Sequence, residues 1–204
     1  FQFDSGIRNF NLKYDFTNYV SDKVKLQFGF NSIYYKFNPG QVSPTTGTSG
    51  INYRKLTDKY AFENAVYIDG NIKVSEKLNV QAGIRLSSFT RLGQRAINVY
   101  ANNNPIVYNE AIDVYQKASP IDTISISRGS SIKSFLNLEP RISAAYQITE
   151  TSSIKASYNR TAQYIHLISN TSSPTPFDIY APSGQFIKPQ LGDQVAVGYF
   201  KAFD

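Results

Sequence analysis

The sequence predicts an all-β fold, and more specifically a segment of an antiparallel transmembrane β-barrel. Three observations lead to this class. Apolar residues recur at every second position in about seven stretches, with polar residues between them. The connections between these stretches alternate between short and long. The stretches run to about 8–16 residues, whereas the mean strand of a soluble protein has about 5–6.

The first four predicted strands form two hairpins. In the fourth, which alternates most regularly, Val80 and Ile84 lie on one face, and Gln81 and Arg85 lie on the other. Each hairpin therefore has one apolar and one polar face. The four predicted strands are Asn9–Phe16, Val24–Phe37, Lys59–Val74 and Leu78–Ser87.

The second half of the chain contains one further hairpin and a last strand. In Leu138–Thr161 apolar residues again occupy alternate positions, with a polar interruption at Thr149–Ser152 that predicts the turn. The last strand is predicted at Asp193–Lys201. Residues Tyr164–Leu191 hold several prolines and are predicted to be irregular. Pro105–Lys117, inside the longest connection, is predicted to form one short helix.

The lengths of the connections distinguish a barrel from a soluble sandwich. Three joins are short, and the other three have roughly 20, 45 and 30 residues, beyond the usual loop limit of about 12–15. Outer-membrane barrels combine short periplasmic turns with long extracellular loops. Aromatic residues near the loop ends also fit the interfacial girdles of such barrels. Those residues are Tyr34, Tyr35, Phe37, Tyr60 and Phe62.

Composition excludes several classes of function. The chain has no Cys and a single histidine, His166, so disulfides, Cys-type zinc sites and Cys nucleophiles are excluded, and no metal or cofactor is predicted. A mean hydropathy of −0.33 without a long apolar run excludes a transmembrane helix but not a barrel, in which only alternate residues meet lipid. The net charge of +6 is scattered rather than clustered, so no nucleic-acid partner is predicted.

Two late stretches resemble a known family. The stretch from Asn137 to Asn170 contains "LEPR" and "KASY" elements, and "KPQ", "DQ" and "GY" elements follow between Lys188 and Tyr199. These elements resemble the barrel of TonB-dependent outer-membrane transporters, most closely the set found in Bacteroidetes. The resemblance covers about residues 137–201, and the earlier hairpins share only the general pattern of such barrels.

The resemblance implies a barrel of about 22 strands with an internal plug, located in the bacterial outer membrane. It implies import of a scarce nutrient, such as a siderophore, cobalamin, a glycan or a peptide. Residues 1–204 are then expected to be a partial barrel domain, since seven strands cannot close such a barrel. The expected partners are outer-membrane lipid, the remainder of the barrel, the plug, the TonB complex through segments outside these residues, and a surface lipoprotein.

Candidate substrate-binding residues occur on the polar face and in the loops. Arg85 and Arg141 occupy polar-face positions, where they line the lumen and bind an anionic ligand or the plug, or else pair with the neighbouring carboxylates. Those carboxylates belong to Glu63, Asp69 and Glu139. Because they lie beside basic residues without a pocket motif, no catalytic residue and no enzyme activity is predicted.

The longest connection supplies most of the other candidates. Its aromatic and amide side chains can stack on and hydrogen-bond sugars or chelate ligands, or else its aromatics pack the loop onto its neighbours. The candidates are Arg91, Arg95, Tyr100, Tyr108 and Tyr115. His166, just past a strand end, either contacts substrate or hydrogen-bonds the base of its loop.

Two other functions fit the same pattern. One is an outer-membrane barrel used for adhesion or assembly, with its loops as interaction surfaces and without import. The other is a soluble carbohydrate-binding β-sandwich, which also alternates apolar and polar residues along its strands.

Overall fold

A computed structural model describes residues 1–45, 50, 52–93, 95–168 and 178–203. Within these ranges it has fourteen strands and one short 3₁₀ helix, at Ala101–Asn103. No helix in this part of the chain is long and apolar enough to cross a membrane. The strands are β1 (Gln2–Ser21), β2 (Val24–Ser43), β3 (Arg54–Lys55), β4 (Lys59–Lys73), β5 (Leu78–Leu92), β6 (Arg95–Val99), β7 (Ile106–Asn109), β8 (Val114–Lys117), β9 (Asp122–Ile126), β10 (Ser131–Thr149), β11 (Ser152–Gln163), β12 (Ile165–Ile168), β13 (Ile179–Pro182) and β14 (Gln190–Lys201).

Seven long strands form one curled antiparallel sheet in the order β1-β2-β4-β5-β10-β11-β14. The short β3 pairs with the end of β2. The predicted all-β fold and its seven main strands are therefore confirmed. Along the described chain, β1 and β14 each have a strand on one side only. An open sheet with two such edges matches part of a barrel wall.

The predicted asymmetry of the connections is also confirmed. Asp22–Lys23, residues 74–77 and Glu150–Thr151 join strands at one end of the sheet, and the three long connections all leave from the other end. The strands are longer than predicted: β1 and β2 have 20 residues each and β10 has 19. Residues 46–49 and 169–177 of two predicted loops lie outside the described residues.

One face of the sheet, called the outward face here, carries an exposed apolar band. In register across four strands lie Phe30, Val66, Leu86 and Leu138, all exposed. Val197 on β14 is 76% exposed. An apolar surface of this extent on a soluble protein would be unusual, whereas lipid covers it in an outer-membrane barrel.

The apolar band ends before the strands do. Beyond it comes a polar row at Ser32, Asn64 and Ser88, in which the Ser32 hydroxyl donates a hydrogen bond of 2.9 Å to Asn64 Oδ1. Outward aromatics then follow, with the rings of Tyr34 and Tyr60 stacked 6.3 Å apart. We take the membrane-spanning part of the sheet to end at this aromatic row.

The opposite, inward face holds the core of the molecule. Tyr35 and Phe37, predicted for the interfacial girdle, are instead buried on this face, because residues at odd positions of β2 point inward. For these two residues the prediction was wrong. The core cluster consists of Tyr35, Phe37, Ala61, Phe89 and Tyr164.

The predicted helix at Pro105–Lys117 is wrong. The segment is the hairpin β7–β8, and its turn contains Asp113 with a φ of 53°. The Asn109 side chain accepts a hydrogen bond of 3.0 Å from the Ala111 N–H, which favours a turn over a continuing helix. A second hairpin, β6–β9, encloses the first, so the longest connection consists largely of strands.

The connection between β11 and β14 folds back over the inward face. Predicted to be irregular, it contains the hairpin β12–β13. β13 packs against β2 and β1, which lie at the far side of the sheet from β11. The hairpin therefore crosses the concave side of the sheet near its loop end.

Candidate functional site

Polar side chains on the inward face are joined across neighbouring strands. One register row contains Asp15, Gly29, Tyr67, Arg85 and Glu139, each on the next strand of the sheet. The Tyr67 hydroxyl donates a hydrogen bond to the Asp15 carboxylate, passing over Gly29. The Arg85 guanidinium lies 6.0 Å from the centre of the Tyr67 ring. The row is thus one connected polar layer.

Arg85 lies between two acidic residues. Its guanidinium is 3.9 Å from a Glu63 carboxylate oxygen and 3.8 Å from one of Glu139. Glu139 also accepts hydrogen bonds from the Ser87 hydroxyl and, at 3.4 Å, from the Ala162 N–H. The charge of Arg85 is therefore shared between two carboxylates.

Arg141 is paired still more closely. Its Nε donates a hydrogen bond of 2.7 Å to Asp69 Oδ1, and its Nη2 donates to Asp69 Oδ2. Asp69 is only 5% exposed, so this two-point contact supplies the positive partner that a buried carboxylate requires. Both predicted wall arginines thus lie on the inward face with acidic partners. Their binding of a ligand or the plug stays a prediction.

A different arrangement occurs at the loop end, in what we call the mouth pocket. Lys59, Arg91 and Arg95 line this cavity of about 290 Å³. Lys59 and Arg91 point inward from the ends of β4 and β5. Arg91 lies at the level of the aromatic row and Lys59 just beyond it, and Arg95 begins β6. The other side of the cavity is formed by the segment that leaves β13, from Pro182 to Ile187.

Arg91 is the most enclosed of the three cations. It is 6% exposed, and its Nη1 donates hydrogen bonds to the backbone carbonyls of Tyr60 and, at 3.3 Å, Leu92. Burial, together with the nearby charge of Arg95, lowers the pKa of Arg91 to about 10. Burial and the same two neighbouring arginines lower the pKa of Lys59. Lys59 is half-buried and Arg95 is exposed, so the pocket places one buried cation beside two that water still reaches.

No carboxylate offsets this charge among the described residues. None of the three cations lies within 4 Å of an acidic group there, in contrast to Arg85 and Arg141. Outside the described ranges, Asp204 is the only acidic residue in the sequence. Backbone carbonyls are the only acceptors for Arg91 in the described part of the chain.

Two aromatic rings line the same pocket. Tyr100 is buried and meets the half-exposed Phe186 edge to face, with the ring centres 5.8 Å apart. The Tyr100 hydroxyl accepts a hydrogen bond of 3.3 Å from Asn98 Nδ2. Gln185 donates one of 3.1 Å to Asn103 Oδ1, which ties the segment after β13 to the 3₁₀ helix. The pocket thus presents an apolar surface beside its cations.

Tyr164 anchors the hairpin β12–β13 to the wall. Its ring stacks on Phe89 with the centres 4.9 Å apart and an angle of 6° between the planes. Its hydroxyl shares a hydrogen bond of 2.7 Å with the Ser87 hydroxyl and accepts one of 2.9 Å from Asn137 Nδ2. On β12, the Nε2 atom of His166 lies 3.0 Å from Ser183 Oγ. Ser183 is fully buried, so this histidine contacts the base of its loop.

The last two predicted residues lie apart from the pocket. Tyr108 and Tyr115 face each other on the hairpin β7–β8, with ring centres 5.1 Å apart. The Tyr108 hydroxyl donates to the Asp113 carboxylate, and this bond raises the pKa of Tyr108. Both rings are exposed, so they form a surface rather than a cavity.

Of the eight predicted site residues, the fold brings Arg91, Arg95 and Tyr100 into one pocket. Sequence reasoning missed two others that line it, Lys59 and Phe186. Lys59 has a detectable signal, since alternation along β4 places it inward at the loop end. Phe186 has none, because its position depends on how the β11–β14 connection folds back.

A larger cavity of about 1200 Å³ lies at the turn end. It is the open trough of the curled sheet rather than an enclosed site, and its lining includes lysines from turns and strand ends, such as Lys23, Lys77 and Lys201. Within the described residues no group of three or more His, Cys, Asp or Glu side chains is placed to hold a metal ion.

The comparisons with known proteins concern the barrel. The chain matches the family model for the β-barrel of TonB-dependent receptor-like proteins over residues 1–201. No curated protein matches it.

Two solved structures illustrate the likeness. The copper transporter OprC is 11% identical with a TM-score of 0.58, covering 99% of this chain and 29% of its own. The FrpB iron transporter from Neisseria meningitidis (F5-1 variant) is 14% identical with a TM-score of 0.46, covering 78% of this chain and 20% of its own. The chain thus spans less than a third of either transporter, and OprC shows a shared fold. The chain belongs to the family of TonB-dependent receptor β-barrels of the bacterial outer membrane.

Proposed function

We propose that this chain forms part of the wall and mouth of a transporter that imports a scarce nutrient across the outer membrane. The observation that carries the proposal is the division of the sheet into two faces. The outward face is an exposed apolar band, whereas the inward face is a connected polar layer with a cationic pocket at its loop end. Such a wall suits the passage of a polar solute beside lipid.

The proposal includes partners in the intact protein. The inward layer around Arg85 and Arg141 is suited to contact a plug domain inside the barrel, because its charges are paired yet partly accessible. Energy would come from the TonB complex through segments outside this chain. The exposed tyrosines of the hairpin β7–β8 offer a contact for a surface lipoprotein. The origin of the chain in Bacteroidetes stays a prediction.

The side chains that this chain offers favour some classes of nutrient over others. Siderophores, cobalamin, glycans and peptides are the classes that we consider. The metals in the names of the two solved transporters are not carried over, because a likeness of 11–14% identity supports the fold alone. This chain has no Cys, no Met and one His, so it supplies few ligands for a soft metal. Recognition by charge and hydrogen bonds suits it better.

Energised uptake by cells is the direct test. The gene for the full-length protein is deleted in its native host, and uptake of labelled candidate nutrients is compared with that of the complemented strain. We expect loss of uptake of one nutrient, restored by the wild-type gene only when the TonB complex is intact. Unchanged uptake of every nutrient would contradict the proposal.

An adhesion or assembly barrel is the second candidate. The exposed apolar and aromatic side chains of the hairpin β7–β8 favour it, since they form a projecting interaction surface. The same deletion strain separates the two functions. Loss of surface attachment together with unchanged uptake would favour adhesion. We propose no catalytic role for the chain.

A further inference from the structure

The mouth pocket differs from the rest of the inward face in the partners of its positively charged side chains. In the wall, each arginine described above faces a carboxylate: Arg141 pairs with Asp69, and Arg85 lies between Glu63 and Glu139. In the pocket, Lys59, Arg91 and Arg95 face one another instead. The arginines of the wall thus have acidic partners, whereas the three cations of the pocket have none among the described residues.

A buried cation without an anionic partner is unfavourable for the protein alone. Removing a charge from water is costly unless an opposite charge compensates it, and like charges raise that cost. Arg91 is 6% exposed and is held in place by carbonyls of Tyr60 and Leu92, so it cannot turn freely to solvent. An anion in the cavity would supply the missing compensation.

The dimensions and lining of the pocket restrict that anion further. A cavity of about 290 Å³ lies near the lower limit for ligand pockets, about 300–1,000 Å³, so it suits one small group rather than a whole large solute. Beside the cations lie the buried ring of Tyr100 and the half-exposed ring of Phe186. Their position suits an apolar or planar part attached to the anionic group.

We propose that the mouth pocket binds an organic anion. Its carboxylate, phosphate or sulfate group contacts Lys59, Arg91 and Arg95, and its apolar part lies against Tyr100 and Phe186. The inference rests on the proposed function, because it identifies the anion as a portion of the imported nutrient. It assigns Arg91 as the fixed anchor of the charged group, with Lys59 and Arg95 at the sides.

The position of the pocket also brings a bound anion into contact with the segment that follows the hairpin β12–β13. One side of the cavity is the segment Pro182–Ile187 that leaves β13, and the other side is the wall at Arg91. The Cβ of a side chain at Gly184 would lie 3.6 Å from Arg91 Cγ, so the hairpin approaches this arginine closely. A bound anion therefore contacts both the wall and the hairpin that crosses the lumen.

The test measures binding to the purified full-length protein in a neutral detergent, by titration calorimetry. The probes are phenyl phosphate, inorganic phosphate and benzyl alcohol. We expect phenyl phosphate to bind, inorganic phosphate to bind more weakly, and benzyl alcohol not to bind. Equal binding of benzyl alcohol and phenyl phosphate would overturn the role of charge. Equal binding of the two phosphates would overturn the role of the rings.

Charge-removing variants assign the site. Arg91→Gln, Arg95→Gln and Lys59→Gln should each weaken phenyl phosphate binding about tenfold or more, since each removes a charged hydrogen-bond donor. Arg128→Gln is the matched control, because Arg128 is exposed on the same connection and does not line the pocket. If Arg91→Gln fails to fold, the affinities of Arg95→Gln and Lys59→Gln for phenyl phosphate still test the proposal. Wild-type affinity in both of them would overturn the proposal.

Failure of this inference is distinguishable from failure of the proposed function. Binding by purified protein needs no energised uptake. If the deletion strain loses TonB-dependent uptake but the purified protein does not bind phenyl phosphate, the proposed transport function stands and the anion site is excluded. If the purified protein binds phenyl phosphate but cells show no energised uptake that depends on its gene, the anion site stands and the proposed transport function is excluded.

Discussion

Arg141 on β10 and Asp69 on β4 form a two-point ion pair that passes over Gly83 on the strand between them. The three residues share one register row, Asp69 opposite Gly83 and Gly83 opposite Arg141. A side chain at position 83 would collide with the carboxylate, because a Cβ there would lie 2.6 Å from Asp69 Cγ. The pair and the glycine are thus parts of one arrangement.

Gly83→Ala should destabilise the barrel by about 1–3 kcal/mol, because it displaces Asp69 from Arg141 and leaves a buried carboxylate without its partner. Unfolding of the full-length protein in lipid vesicles by denaturant measures the change. Gly70→Ala is the control, since a Cβ at Gly70 meets nothing nearer than 3.4 Å on the outward face of the same strand pair. Equal losses in the two variants would show that the ion pair is not the cause.

Ile84→Arg should cost about 2–4 kcal/mol if the outward band meets the bilayer core. Ile84 is exposed at mid-strand on that band, in register with Ile68. Gln81→Arg, on the inward face of the same strand, should cost little because it adds a charge to the polar side. The comparison is made by unfolding in phospholipid vesicles. A cost for Ile84→Arg no greater than that for Gln81→Arg would reverse the assignment of the faces.

Tyr164→Ala should release the hairpin β12–β13 from the wall, because it removes both the stacking on Phe89 and the hydrogen bonds to Ser87 and Asn137. We expect a loss of about 3–5 kcal/mol in the attachment of this segment. Limited proteolysis should then cleave within residues 165–190 much faster than in the wild type. Tyr164→Phe keeps the stacking and should lose only about 1 kcal/mol. Identical cleavage of the two variants would contradict a role for the ring.

Anion binding in the mouth pocket should weaken as the pH rises toward the ordinary lysine pKa of about 10.4. The pKa of Lys59 is lowered by burial and by the charges of Arg91 and Arg95, so its ammonium loses a proton at a lower pH than an exposed lysine does. Above that pH one positive charge of the pocket is gone.

Calorimetric titration with phenyl phosphate at several pH values tests this dependence. In Lys59→Gln the first part of the decline should disappear, because the titrating group is absent. A decline in Lys59→Gln as steep as in the wild type would assign the dependence to another group.

The wall was largely predictable from the sequence, because a period of two fixes which side chains share a face. Alternation along β5 placed Ile84 outward and Arg85 inward, as the structure has them. The same rule would have placed Tyr35 and Phe37 inward, but their aromatic character favoured the girdle instead. Periodicity was the better guide.

The connections were less predictable, because short strands leave weak patterns. β7 and β8 have four residues each, too few to separate alternation from helical spacing, and the turn at Asp113 depends on a left-handed backbone conformation. The mouth pocket joins Lys59 to Phe186, which are distant in the sequence. Their proximity follows from the return of the β11–β14 connection across the sheet, which no local pattern encodes.

The ion pair over Gly83 also has a mechanical consequence. Adjacent strands lie about 4.8 Å apart, so Asp69 and Arg141 belong to strands roughly 10 Å apart, and the long Arg141 side chain reaches across Gly83 on one face of the curled sheet. Flattening the sheet would pull the two charges apart, while tighter bending would press them onto Gly83. The backbone ladder holds each strand only to the next, whereas this link spans three strands and thereby resists changes in the curvature of the sheet.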